Sequence, residues 1–106
     1  MRTYGKDTPE FFEFKISGKK KTYRIPTQAS ISYDLTYRMA KLAEIEDTAE
    51  ANAEAMAIQM DILTKYIGEE ARDFPTEAVG ALFLDWATYS EETSGVSAGE
   101  LQGSSE

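Results

Sequence analysis

Between Phe12 and Ser17 apolar and polar residues alternate, with Phe12, Phe14 and Ile16 on one side and Glu13, Lys15 and Ser17 on the other. A period of two marks a strand with one wet face. The alternation resumes from Lys21 to Ile25, with Tyr23 and Ile25 opposed to Thr22 and Arg24, and it stops at Pro26. Ser17-Gly18-Lys19-Lys20 between them reads as a turn in which Gly18 takes a positive φ. The pattern predicts a β-hairpin with a lysine-rich tip, and those lysines oppose self-pairing along its open edge. Two strands alone are marginal in water, so the aromatic face must lie on helices.

After Pro26 the period lengthens. Ile31, Leu35, Met39, Leu42 and Ile45 form the buried stripe of a first helix, capped by Ser30 or Ser32 and running to about Ile45. Tyr33 and Tyr37 lie on its opposite side, as surface packing or as an interface. The longest periodic stretch runs from Thr48, a good N-cap, to Gly68, a good left-handed stop. Ala49, Ala53, Met56, Met60, Leu63 and Ile67 share one face of this helix. Ala51, Ala55, Ile58 and Ile62 form a second, displaced by well over about 90°. Two apolar faces leave two readings: the helix sits between two layers of its own domain, or the second face docks another chain.

The third helix starts at Pro75-Thr76-Glu77 with Thr76 as its cap. It presents Val79, Leu82, Phe83, Trp86 and Tyr89 on one face and ends near Ser90. Trp86 belongs in the core, whereas Leu84 points away from the stripe as a satellite contact or a partner surface. Residues 1–10 lack periodicity and read as a loose arm. Residues 91–106 are mostly Ser, Gly, Glu and Thr, too poor in apolar surface to offset their ordering entropy, and read as a flexible tail. The expected fold is α+β and mostly helical: an N-terminal hairpin packed on three helices over residues 11–90.

Composition narrows the function. At 106 residues the chain is one small domain, and a net charge of −8 argues against nucleic acid as a partner. Residues 1–24 carry seven basic and three acidic side chains, net +4, and the remainder four against sixteen, net −12. There is no histidine and no cysteine, which removes the commonest general base and the commonest soft metal ligands. The acidic link Glu44–Asp47 lacks the glycine and ligand spacing of an EF-hand, and Gly18-Lys19-Lys20 lacks the rest of a P-loop. We expect no catalysis, no metal and no cofactor. No apolar run is long enough for a membrane span, and the N-terminus is too polar for a signal peptide, so the expectation is a cytoplasmic protein.

The order of the pieces resembles a known family. It runs FEFKISGKKKTYRIP, an acidic helical pair, LTKYIGEE, a Pro-Thr-started helix with Leu82-Phe83 and Trp86, and a GVSAGE tail ending in Ser-Ser. Over roughly residues 11–105 this is similar to the tail assembly chaperones of long-tailed bacteriophages, the group that includes the lambda G-type product. It departs at Thr27-Gln28-Ala29-Ser30-Ile31, where the family usually has leucines.

The resemblance implies a phage or prophage protein acting in the bacterial cytoplasm and absent from the finished virion. Such a protein binds the long tape measure protein, keeps it soluble and helps tail tube protein polymerise around it. It further implies a ribosomal frameshift near the end of the gene that adds a second domain to some of the product. Joined to the apolar faces, this makes Ile58, Ile62 and Leu84, with Tyr33 and Tyr37, the candidate client-contacting residues. Two other readings compete: a small virion structural protein of the head–tail joining kind, and an acidic mimic of DNA.

Overall fold

A computed structural model describes residues 1–5 and 10–94 of the chain, with the side chains of residues 93 and 94 left aside. Strand β1 (Phe11–Lys15) pairs antiparallel with β2 (Thr22–Pro26) in a register that sets Phe12 opposite Ile25 and Phe14 opposite Tyr23. The turn takes the positive φ expected of it, +88° at Gly18, and closes with Lys19 N–H donating to Ile16 O at 2.9 Å. Alternation decides the faces. Glu13, Lys15, Thr22 and Arg24 are exposed, while Tyr23 and Ile25 are buried and Phe12 and Phe14 half-buried. On the wet face the Arg24 guanidinium lies 4.4 Å from the centre of the Phe11 ring.

Three helices carry the hairpin. Ser32 stands before α1 (Tyr33–Lys41), and its backbone N–H donates to Tyr66 Oη at 3.0 Å. The helix is shorter than its periodicity suggests: after Lys41 the chain tightens into a 3-10 turn over Leu42–Glu44 and leaves helical geometry at Ile45. The central helix α2 spans Thr48–Tyr66, with Asp47 rather than Thr48 as N-cap; Asp47 Oδ1 accepts the Glu50 N–H at 3.0 Å. At its other end Gly68 breaks the helical path where the sequence suggests, though at φ +125°, ψ −176° it is extended and not in the left-handed helical conformation expected. A separate 3-10 turn, Glu69–Asp73, follows and drops Ala71 and Phe74 into the core.

Helix α3 (Thr76–Ser94) begins with Val79 N–H donating to Pro75 O, which places Thr76 inside the helix instead of at its cap. It continues past Ser90 through Ser94, so the expected boundary at 91 falls four residues too early. The rest of the expected tail, and residues 6–9 of the expected arm, lie outside the described residues.

The hairpin and all three helices meet in one core that includes Ile25, Leu35, Ile62, Leu63, Phe74 and Trp86. An aromatic chain runs through it: Phe12 lies against Tyr89, Phe14 against Tyr23, and Tyr23 against Phe74, with centroid distances of 5.5, 5.8 and 5.0 Å. Trp86, 2% exposed, is core as expected, and its Nε1–H donates to Pro26 O at 2.8 Å, tying α3 to the end of β2. Complete burial of each of Ile25, Ile62 and Leu63 stabilises the fold by about 1.5–3 kcal/mol.

Both faces of α2 reach the interior, chiefly through its C-terminal half. Ile58 and Ile62 are 2% and 1% exposed, whereas Met56 of the longer series is 60% exposed and Ala49 and Ala53 face solvent. Only Leu63 of that series is fully buried. The alanines add little to either face, so what α2 buries fully is Ile58 and Ile62 of the shorter series and Leu63 of the longer.

Candidate functional site

A cleft of about 180 Å³ opens between the three helices. Its floor is α2, through Ala55, Ile58 and Ile62. One wall is Met39 of α1 with Leu42 of the turn after it, and the other is Phe83, Trp86 and Ala87 of α3. Of all the lining side chains only Gln28 and Gln59 are polar, and neither titrates. The cleft exists where the walls are thin, since Ala55 and Ala87 bring only a methyl group each to it. Its size is near that of an engineered cavity that takes up benzene, about 150 Å³. One large aliphatic or aromatic side chain of another molecule would fill it. The lining offers packing surface and no group that transfers protons or binds ions.

A larger hollow of about 590 Å³ lies between α1 and the first half of α2. Its lining is mostly charged, with Arg38, Lys41, Glu44, Glu50 and Glu54 around Leu42, Ile45 and Ala53. Arg38 clamps the two helices. Its Nη2 donates to Glu54 Oε2 at 3.3 Å and its Nη1 to Asp61, and the Asp61 bond foremost strengthens the guanidinium's hold on its proton. Lys41 pairs with Glu44 at 2.9 Å. Arg38, Lys41, Glu44 and Glu54 are thus already paired with one another or with Asp61, which leaves the apolar cleft the better candidate site.

A second polar lock fastens the hairpin tip to the turn after α2. Glu70 accepts from Lys21 Nζ at 2.8 Å and from Tyr23 Oη at 2.9 Å. The Lys21 bond first and the Tyr23 bond second hold the Glu70 carboxyl below the usual glutamate range. Burial, then the carboxylate, pushes the Tyr23 phenol up, and Glu70 raises Lys21.

The five sequence-derived candidates divide. Ile58 and Ile62 are not an exposed docking face; they are sealed in the core and reach the cleft only as its floor. Leu84 (75% exposed), Tyr33 (84%) and Tyr37 (58%) are on the surface, and none of them lines the cleft. Lys41 Nζ lies 5.8 Å from the Tyr37 ring centre. The structure thus joins only two of the five. The walls that sequence reasoning missed as a site, Met39, Leu42, Phe83 and Trp86, were legible as core stripes. The signal that core positions border an open cleft was Ala55 in the same series as Ile58 and Ile62.

Among the described residues no helix is long and apolar enough to cross a membrane, and no cluster of three or more side chains could hold a metal ion. No family model matches the chain, and neither curated proteins nor solved structures include a match.

Proposed function

We propose that the chain is a tail assembly chaperone of a long-tailed bacteriophage. In the cytoplasm of the bacterial host it holds the tape measure protein in soluble form, promotes tail tube assembly around it, and stays out of the virion. The observation that carries this reading is the apolar cleft left open between three helices of a strongly acidic domain. A holdase needs accessible apolar surface that its own charge keeps from self-aggregation, and a net −8 supplies that charge. An amphipathic client helix seats its apolar anchors in a groove of this kind. The sequence resemblance names the client.

Co-expression with the tape measure protein that this reading expects beside the gene tests it. The wild-type chain should keep that protein soluble and co-purify with it. Ala87→Trp, at an exposed helical position on the cleft wall, should fill the cleft and reduce co-purification at least about tenfold, a loss of roughly 1.4 kcal/mol. Its thermal unfolding should stay near that of the wild type. A tape measure protein that the wild-type chain neither binds nor solubilises refutes the proposal. Recovery of the chain in stoichiometric amounts from purified virions would favour the head–tail joining reading instead.

A further inference from the structure

The outer edge of β1 carries a self-complementary pattern. Thr27 N–H donates to Glu10 O at 3.1 Å, so these two residues are a hydrogen-bonded pair; by the register, Phe12–Ile25 and Phe14–Tyr23 are too. The backbone groups of Phe11, Glu13 and Lys15 therefore point away from β2. Pro26, opposite Phe11, agrees with this phase. It lacks an N–H where no ladder bond is needed, and its outward carbonyl accepts from Trp86, which covers that end of β2. Among the described residues no hydrogen bond reaches the outward groups of β1. The apolar face is unfinished on the same side: Tyr23 and Ile25 on β2 are 4% and 0% exposed, yet Phe12 and Phe14 on β1 are only half-buried.

We propose that a second copy of this chain occupies the edge, β1 against β1 and antiparallel, joining two hairpins into a four-stranded sheet. Charge complementarity selects the register. With Phe14 opposite its own copy, each Glu13 faces a Lys15, so a charged row forms on the wet face while the half-buried Phe14 rings meet beneath it. Glu10 then lies beside the lysine-bearing tip of the other hairpin. The two neighbouring symmetric registers set Glu13 against Glu13 or Lys15 against Lys15, which like charges disfavour. The lysines expected to oppose self-pairing, Lys19, Lys20 and Lys21, sit beyond β1 and leave this register open. None of the residues on this edge lines the cleft, so the inference stands apart from the proposed function.

Sedimentation equilibrium of the full chain over a wide concentration range tests it, with circular dichroism to confirm folding. The wild type should dimerise. Glu13→Lys should weaken the dimer by about tenfold or more, and Glu13→Lys/Lys15→Glu should restore it. Glu13→Pro should block strand addition by removing only an outward N–H; should it disturb folding, the charge-exchange pair decides alone. A wild type that stays monomeric at every concentration, or a dimer indifferent to Glu13→Lys or not rescued by the exchange, overturns the proposal.

Discussion

Ile62 is 1% exposed and Met56, on the same helix, 60%. Ile62→Ala should therefore destabilise the chain by about 2–5 kcal/mol, through lost burial and a residual cavity. Met56→Ala should stay within about 0.5 kcal/mol. Urea titrations of the two variants check this, and a larger loss for Met56→Ala would mean that α2 is rotated the other way. At this scale the sequence revealed which residues are apolar, and Trp86 as core, without revealing which α2 series turns inward. Ile58 and Ile62 turn inward, and so does Leu63 of the longer series, while Met56, Ala49 and Ala53 of that series do not. The bond from Trp86 to Pro26 O was illegible because it links positions 60 residues apart. Trp86→Phe leaves that carbonyl buried without its donor, and we expect a loss of about 1–3 kcal/mol by chemical denaturation.

The elements themselves were largely legible, because hairpin and helix periods differ and glycine and proline mark the breaks. The two faces of the hairpin, the three helices and the stop at Gly68 follow from that patterning. What patterning misplaced were the ends: Asp47 and Pro75, not Thr48 and Thr76, open α2 and α3, and α1 tightens into a 3-10 turn before Ile45. Caps depend on which side chain reaches a free amide, a matter of an ångström that periodicity does not encode. The cleft was harder to foresee than any element, since its lining is drawn from three helices and the turns beside them, which the periodicity of each element alone does not bring together. Gly68 gives the sharpest element-scale prediction. Its backbone lies at φ +125°, ψ −176°, a region essentially closed to other residues. Gly68→Ala meets no steric neighbour within 4 Å, so its cost is conformational alone, about 1–3 kcal/mol by thermal or chemical unfolding.

For the molecule as a whole, charge and titration are linked through Glu70. With no histidine or cysteine, no side chain of ordinary pKa titrates near neutrality, so stability should be nearly flat from about pH 5.5 to pH 9. Below that window Glu70 matters. Its carboxyl is held down in the folded chain, so its contribution is present above the unfolded value of about 4.3 and is lost as pH falls through the lower folded value. On the alkaline side the signs reverse. Lys21 and Tyr23 are raised on folding, so what they contribute is complete below about pH 10 and disappears as pH climbs through their folded values. Glu70→Gln should make the acid limb shallower relative to wild type. It should shrink the Tyr23 part of the alkaline limb without abolishing it, because burial is the largest single cause of that shift and Glu70 supplies the next two. Tyr23→Phe should remove the Tyr23 part instead. The lock is solvent-exposed at Lys21 and Glu70, so salt screens it and the acid-side difference should shrink between about 0.01 and 1 M ionic strength. Urea midpoints across pH for the wild type and both variants measure all of this at once. An acid limb unchanged by Glu70→Gln at low salt would show that Glu70 fastens the hairpin by geometry and adds nothing through its charge.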